Sequence, residues 1–178
     1  MDGNGWVALL RGVNLGARNK VPMAELRNLL GSLGCGSVQT YIQSGNAVFV
    51  HEERDRDALA ARLEQAVAET FGVASPVVLR TVTEIGAVAS SHPFGADTSR
   101  THVAFLAAAP GDPAALDPGE FAPDRFQLVG ADVYLAYPNG VQGSRLTGAV
   151  LERRLGVAAT LRNWRTVTRL AELAAPLG

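Results

Sequence analysis

The chain has 178 residues, of which 47% are hydrophobic and 19% are charged. These values are typical of a globular protein with one large domain or two small ones, and they exclude a chain that is disordered throughout. The only cysteine in the sequence is Cys35, which excludes an intramolecular disulfide and a cysteine-rich metal site.

Membrane and secretion signals are weak in this sequence. The longest apolar run, Val103–Ala109, has seven residues and is too short to span a bilayer. The first residues include Asp2 and a short apolar stretch at Trp6–Leu10, rather than the basic and apolar regions of a signal peptide. We therefore expect a cytoplasmic protein that does not insert into a membrane.

The charges are balanced overall but unevenly distributed. The formal net charge is −1, and 15 of the 16 basic residues are arginine, a bias typical of a GC-rich genome. Seven acids and two bases lie between Glu84 and Asp132, whereas six bases and two acids follow from Ser144 onward. The positive C-terminal region predicts a contact with the acidic middle of the chain or, as the alternative, with an anion.

Hydrophobic periodicity predicts six elements in the first half of the chain. The continuous apolar run at Trp6–Leu10 is typical of a strand that is buried on both faces. Further along, periodicity and turn residues indicate alternating helices and strands. The predicted elements after the first strand are a helix that begins at Pro22, a strand over Val38–Gln43, a turn at Ser44–Asn46, a strand over Ala47–Val50, a helix that ends at Gly72 and a strand over Pro76–Arg80.

A similar order of elements recurs in the second half. Thr81 and Glu84 have the spacing of a capping box, which predicts a connecting helix to about Ser90. The elements predicted after it are a strand over His102–Ala108, a short helix over Pro113–Leu116, a hairpin of Phe126–Val129 and Val133–Tyr137 about Gly130, a helix over Thr147–Leu155, a strand over Ala158–Arg162 and a last helix capped by Asn163. Two successive units of this kind predict an α/β (α+β) fold with two ferredoxin-like βαββαβ subdomains in tandem. The first subdomain is expected over residues 1–81, a connecting helix and loop over 82–99, and the second subdomain with a C-terminal helix over 100–178.

The candidate ligand-binding residues lie in polar loops at the ends of strands. The Arg11–Lys20 loop joins a strand to a helix, where free N–H groups and basic side chains favour an anion. In a βαββαβ unit this loop and the Ser44–Asn46 turn lie at the same end of the sheet, so we expect them to converge. The segments Asn139–Arg145 and Arg162–Asn163 likewise share one end of the second half. If the halves pack with unlike ends together, one pocket between the subdomains would be lined by Arg11, Asn14, Lys20, Ser44, Asn46, Arg145, Arg162 and Asn163.

Other kinds of chemistry have less support in the sequence. Ser44 lies in a turn without a histidine or acid at hydrolase spacing, which favours a structural hydroxyl over a nucleophile. The three histidines show no metal-ligand spacing, so we predict neither a metal nor another cofactor. The two central strands of the first half carry two aromatic residues but no basic one, which argues against nucleic-acid binding.

Seven blocks of the sequence carry a resemblance to a known protein family. They are Ala8–Asn14, Lys20–Arg27, Thr40–Asn46, His92–Phe94, Tyr137–Gly140 with Ser144–Leu146, Leu151–Gly156 and Arg162–Val167. In these blocks the chain resembles the bacterial domain-of-unknown-function family numbered 1697. The resemblance covers essentially the whole chain, with Arg145 at a position where the family often has lysine. It implies a compact α/β protein with ferredoxin-like halves in the bacterial cytoplasm, and it implies no activity.

No motif in the sequence establishes a reaction, so no catalytic residue is assigned and the sequence leaves open whether the protein is an enzyme. We expect a small cytoplasmic protein that binds an anionic ligand, phosphate- or nucleotide-like, between its two subdomains. The alternative is a non-catalytic scaffold or protein-interaction module whose loops are ordered for folding alone. Apolar faces on an open sheet are also compatible with a homodimer.

Overall fold

The computed structural model describes residues 3–178 and divides into two compact units. The first unit runs to Ala87 and also contains Arg169–Gly178, while the second unit is Val88–Thr168. Each unit contains one four-stranded antiparallel sheet. The predicted fold class, two ferredoxin-like subdomains in tandem, is confirmed.

The first unit has the strand order of a ferredoxin-like sheet. Its elements are β1 (Asn4–Leu10), α1 (Met23–Ser32), β2 (Gly36–Tyr41), β3 (Asn46–His51), α2 (Arg56–Phe71), β4 (Val77–Thr81) and the start of α3 (Val82–Ser90). The sheet has the order β2-β3-β1-β4, and all neighbouring strands are antiparallel. In this arrangement the end of β1 lies beside the start of β3 and the start of β4, because Leu9 pairs with Asn46 and Leu10 pairs with Val77.

Helix α2 has a capping residue at each end and one apolar face that packs in the core. The Asp55 carboxylate accepts hydrogen bonds from the N–H groups of Asp57 and Ala58 at 3.0 and 3.1 Å, which caps the helix. Gly72 ends it in the left-handed conformation, with a φ of 66°. Between these caps Leu59, Leu63 and Val67 are buried in the core of the unit. The sheet contributes side chains from alternate positions of its strands, including Trp6, Ala8, Leu10, Phe49 and Leu79.

The second unit repeats this strand order. Its elements are β5 (Thr101–Leu106), β6 (Arg125–Val129), β7 (Asp132–Ala136), α4 (Gly148–Leu155), β8 (Ala159–Asn163) and the start of α5 (Trp164–Ala174). The order β6-β7-β5-β8 is again antiparallel throughout. Thr147 caps α4 by accepting a hydrogen bond from the Val150 N–H at 3.2 Å, and Gly156 ends the helix with a φ of 70°.

The predicted short helix over Pro113–Leu116 is a 3-10 turn over Pro113–Ala115, and a second 3-10 turn follows over Pro118–Phe121. Each turn begins at an aspartate whose carboxylate accepts a backbone N–H two residues later, at 3.0 Å in the first turn and 2.9 Å in the second. The proline spacing leaves too few residues between these starts for an α-helix, and the tighter 3-10 geometry suits such short segments.

The predicted strand over Val38–Gln43 ends earlier than expected. Strand β2 ends at Tyr41, and Ile42 adopts a φ of 49° with 49% of its surface exposed. The Asn46 side-chain amide donates to the Tyr41 carbonyl at 3.0 Å, so the turn begins before Ile42. Ile42 therefore lies outside the strand, although the strand predicted over Val38–Gln43 includes it.

None of the helices described between residues 3 and 178 is long and apolar enough to cross a membrane.

Candidate functional site

The polar loops of the first unit converge, as the βαββαβ topology predicts. The Leu10 N–H donates to the Gly45 carbonyl at 2.8 Å, which joins the end of β1 to the turn before β3. The Asn14 amide donates to the Gln43 carbonyl at 2.7 Å and so connects the Arg11–Lys20 loop to the same turn. These two hydrogen bonds place Arg11–Lys20 and Ser44–Asn46 at one end of the sheet.

The amide side chains in this cluster hold the loops together. Asn14 donates from Nδ2 to the Val21 carbonyl at 2.9 Å and accepts from the Val21 N–H at Oδ1 at 2.8 Å, in addition to its bond to Gln43. Asn46 is fully buried and donates from Nδ2 to the Tyr41 carbonyl and, at 2.8 Å, to the Ser44 hydroxyl. The carboxamides of Asn14 and Asn46 are therefore already engaged with the turns that they build.

The basic residues of the same loop differ in exposure. The side chain of Lys20 is exposed, whereas Arg11 is half-buried. The backbone of Arg11 is fixed by its N–H, which donates to the Pro76 carbonyl at 3.0 Å, and by its carbonyl, which accepts from the Ser75 hydroxyl at 2.8 Å. The loop thus carries an outward cation at Lys20 on a hydrogen-bonded frame.

Arg162 is buried in β8, and its guanidinium bonds to its own strand. Its Nη1 donates to the Thr160 hydroxyl at 2.7 Å and to the Leu161 carbonyl at 2.8 Å. Burial lowers the pKa of the Arg162 guanidinium to about 10. Arg80 occupies the equivalent position in the first unit, because Arg162 pairs with Val103 as Arg80 pairs with Val7. A buried arginine on the last strand is thus a shared feature of both sheets.

Arg145 lies at a small cavity of about 160 Å³ in the second unit, lined by residues within 121–124 and 139–145. Its guanidinium donates to the Glu120 carbonyl. The Ser144 hydroxyl donates to the Asp124 carboxylate at 2.6 Å inside this cavity. A carboxylate in the lining opposes an anion there, so the cavity is poorly suited to phosphate.

A larger cavity of about 600 Å³ lies where β8 continues into α5. Asn163 is the last residue of β8, and Arg165 is in the first turn of α5. Because His102 pairs with Asn163 across the sheet, the segment that enters β5 lies beside the start of α5. The cavity is lined by Thr98, Ser99, Thr101, Asn163, Trp164, Arg165 and Thr168. We call it the α5 cavity.

The Arg165 guanidinium is exposed and makes no hydrogen bond or ion pair with any residue from 3 to 178. Asn163 uses its Oδ1 to accept the Thr166 N–H at 2.8 Å, and its Nδ2 has no partner in the same part of the chain. The Thr168 hydroxyl donates to the carbonyls of Trp164 and Arg165, at 3.2 and 3.0 Å. Two donor groups at the start of α5 are therefore available to a ligand.

Charge in the α5 cavity favours an anion. Its lining residues include one arginine and no carboxylate. Asp97 is close by and exposed, and hydrogen bonds from the side chain and backbone of Ser99 lower the pKa of its carboxyl. Asp97 is therefore ionised at neutral pH and held by Ser99, outside the lining. Among the residues that the structure describes, no group of three or more histidine, cysteine or acidic side chains could hold a metal ion.

One wall of the α5 cavity is aromatic. Trp164 is 8% exposed, and the His92 ring meets it edge-on with 4.7 Å between ring centroids. His92 Nε2 and the Thr101 hydroxyl are 2.8 Å apart, while His92 Nδ1 is buried without a hydrogen-bond partner in the described chain. Trp164 therefore anchors the start of α5 in the interior of the second unit, and its remaining surface lines the cavity.

Sequence reasoning identified Asn163 but missed Arg165 and the segment Thr98–Thr101. The sequence does contain a signal for Arg165. Acids are favoured in the first turn of a helix, where a cation opposes the helix dipole, so an arginine at this position is unusual. The position of Thr98–Thr101 was not visible in the sequence, because that segment is irregular until β5 begins. Of the predicted site residues, only Asn163 lines the α5 cavity.

A family model described as "Protein of unknown function (DUF1697)" matches residues 4–134, which is more than half of the chain. The chain belongs to this family. The predicted family is thus confirmed by a match over residues 4–134, and membership of the DUF1697 family brings no assigned activity.

The chain is also similar to a solved structure, described as that of the conserved bacterial protein SP0830 from Streptococcus pneumoniae. The two chains are 22% identical with a TM-score of 0.74, and the match covers 96% of this chain and 98% of the other. At this identity the similarity concerns the fold alone. No curated protein matches the chain.

Proposed function

We propose that this member of the DUF1697 family binds a small anionic ligand, phosphate-like in its charged group, in the α5 cavity. The observation that carries the proposal is the exposed Arg165 guanidinium, which has no partner among residues 3–178 and lies at the start of a helix. An oxyanion at this position would be attracted by the positive end of the helix dipole and would also neutralise the arginine. The planar guanidinium is suited to grip two phosphate or carboxylate oxygens at once.

The hydrogen-bond inventory of the cavity supports Thr101 as a further donor. If His92 Nε2–H donates to the Thr101 hydroxyl, the buried Nδ1 is left as an acceptor without a donor. In the opposite tautomer Nδ1 carries a buried hydrogen without an acceptor, and an orphaned donor is the rarer case in proteins. The first arrangement therefore leaves the Thr101 hydroxyl hydrogen to point away from His92. An oxyanion in the cavity would accept it.

The volume of the α5 cavity agrees with a ligand larger than phosphate alone. A cavity of about 600 Å³ lies within the range of small-molecule sites in proteins. The apolar edge of Trp164 offers a surface for the uncharged part of such a ligand, while Arg165 and Asn163 lie at its polar side. A phosphorylated metabolite fits this division better than a free inorganic ion.

For Arg11, Asn14, Lys20, Ser44, Asn46, Arg145 and Arg162, contact with the ligand stays a prediction. The hydrogen bonds of Asn14 and Asn46 within their own turns support a structural role for these two residues. The exposure of Lys20 is compatible with contact to an anion, whereas the cavity beside Arg145 also contains the Asp124 carboxylate. The prediction that all of them serve one ligand together with Asn163 also stays a prediction.

A thermal-shift panel tests the proposal. The probes are inorganic phosphate, pyrophosphate, nucleoside monophosphates and sugar phosphates. A ligand at 100 times its Kd stabilises the folded state by about 2.7 kcal/mol, which raises the Tm of a chain of this length by about 5–10 °C. We expect at least one phosphorylated probe to give such a shift, and Arg165→Gln to reduce it to about half or less at the same ligand concentration. No shift across the panel would favour the alternative of a scaffold without a ligand.

A further inference from the structure

A second surface, independent of the α5 cavity, lies at the loop end of the first unit. Leu15 and Ile42 are 60% and 49% exposed. They are chain neighbours of Asn14 and Gln43, which are joined by the 2.7 Å hydrogen bond from the Asn14 amide. Two large apolar side chains are thus presented to solvent from adjoining loops.

The backbone at Ile42 makes this exposure notable. Ile42 has a φ of 49°, and a β-branched residue in the left-handed region is a genuine outlier. Strain of this kind persists where the surrounding structure enforces it, and it is frequent at functional surfaces. Because half of the Ile42 side chain is exposed, burial in the core does not compensate for the strain. The turn therefore holds an apolar side chain outward at a cost to the folded state.

Two exposed cations lie in the same loop as Leu15. Arg18 and Lys20 are exposed, and neither side chain makes a hydrogen bond or ion pair with the residues that the structure describes. The sequence has no acid between Asp2 and Glu25, so the whole Arg11–Lys20 loop lacks a carboxylate. The turn after β2, which carries Ile42, lacks a carboxylate as well, because the next acid after Glu25 is Glu52.

The loop that carries these side chains is held in one conformation. The Asn14 N–H donates to the Asn19 carbonyl at 2.8 Å, and the Arg18 N–H donates to the Leu15 carbonyl at 2.9 Å. The Asn19 amide donates to the Gly12 carbonyl at 2.8 Å. The loop is therefore ordered before a partner binds. Binding does not have to offset the loss of loop entropy, which favours affinity.

We propose that this surface, formed by Leu15, Arg18, Lys20 and Ile42, docks an acidic segment of another protein. An apolar side chain of that segment packs against Leu15 and Ile42, and its carboxylates pair with Arg18 and Lys20. A nucleic acid would use the cations but leave the two apolar side chains without a role. A second copy docked through the same surface would oppose like charges, which is unfavourable.

Synthetic peptides test the proposal with the full chain. The first probe is a short labelled peptide that alternates glutamate with leucine, and the second replaces each leucine by serine at equal charge. The third probe is a single-stranded DNA oligonucleotide of matched charge. Binding is measured by fluorescence anisotropy at physiological salt for the wild type and for the variants Leu15→Ser, Arg18→Glu and Arg54→Glu. Arg54 is the matched control, because it is exposed in the loop after β3, at the other end of the same sheet.

We expect the glutamate–leucine peptide to bind, and Leu15→Ser and Arg18→Glu each to weaken it about fivefold to tenfold. We expect Arg54→Glu to change its affinity less than about twofold, because that residue lies outside the docking surface. Absence of peptide binding would overturn the proposal, as would equal binding of the leucine and serine peptides. Equal or tighter binding of the oligonucleotide with no effect of Leu15→Ser would assign the surface to nucleic acid. A wild type that self-associates, and a Leu15→Ser variant that does not, would assign it to a second copy.

Discussion

Replacement of Asn14 by alanine tests whether this residue holds the first-unit loop or serves mainly as a ligand contact. The side chain makes three hydrogen bonds, two to Val21 and one to Gln43, from a backbone with a φ of 53°. A hydrogen bond contributes about 1 kcal/mol net, and the left-handed conformation costs alanine about 1 kcal/mol more than asparagine. Because water can replace part of the exposed bond to Gln43, we expect Asn14→Ala to destabilise the protein by about 3 kcal/mol.

Asn19→Ala is the matched control. Asn19 has a φ of 51° and one side-chain hydrogen bond, to the Gly12 carbonyl, so it shares the backbone conformation with fewer bonds. We expect this control to cost about 1.5 kcal/mol, since its single bond is exposed. The Tm of Asn14→Ala should therefore lie about 3–6 °C below that of Asn19→Ala in thermal melts followed by circular dichroism.

A third variant, Asn14→Gly, separates strain from hydrogen bonding. Glycine adopts the left-handed conformation without penalty but makes no side-chain bonds, so it should recover about 1 kcal/mol relative to alanine. Equal Tm values for Asn14→Ala and Asn19→Ala would refute the structural role assigned to Asn14.

Three further predictions concern buried or paired groups. Glu84→Gln should cost about 1 kcal/mol at neutral pH, because Arg56 Nη2 donates to both Glu84 carboxylate oxygens, at 2.6 and 2.7 Å, from side chains that are each more than one third exposed. Burial tends to raise the pKa of Glu84, but hydrogen bonds from Arg56 and the Thr81 N–H bring it below its usual value. The stabilisation should therefore vanish as the pH falls through that lowered pKa, and a urea-unfolding difference that persists in strong acid would contradict this. Burial raises the pKa of the Cys35 thiol to about 11, so iodoacetamide at neutral pH should modify the folded chain at least about a hundredfold more slowly than free cysteine, as followed by mass spectrometry. Modification at the rate of free cysteine would show that the thiol is accessible. Arg162→Ala should destabilise by about 3 kcal/mol in urea unfolding, because the Thr160 hydroxyl and the Leu161 carbonyl lose a buried charged donor. A loss below about 1 kcal/mol would mean that Arg162 contributes little to the fold.

The fold could be predicted because its signals are local and repeated. The capping box of Thr81 and Glu84 is present, with the Glu84 N–H donating to the Thr81 hydroxyl at 3.2 Å and the Thr81 N–H donating to the Glu84 carboxylate at 2.8 Å. Gly72 ends its helix as expected, and Gly156 ends α4 in the same left-handed conformation. The exception at Ile42 arose because strand alternation continues through that residue in the sequence. The end of the strand depends on the Asn46 amide, which lies across the turn.

The candidate site was harder to predict because its residues meet only through the sheet. Topology was sufficient to bring the Arg11–Lys20 loop to the Ser44–Asn46 turn. Topology could not show that the amide of Asn14 is occupied by backbone groups of its own loops. The α5 cavity requires Thr98 and Thr101 to lie beside Arg165, and this depends on the pairing of His102 with Asn163 across two distant strands.

The most direct test of the central claim is a calorimetric titration of pyrophosphate into the wild type, Arg165→Gln and Arg169→Gln. Both arginines are exposed on α5, but Arg169 is paired with Glu172 at 2.9 Å and lies outside the α5 cavity. We predict that the wild type and Arg169→Gln bind with similar Kd values, and that Arg165→Gln binds at least about tenfold more weakly with an unchanged Tm in the absence of ligand. Equal affinity in all three proteins, or no heat of binding in the wild type, would contradict an anion site at the start of α5.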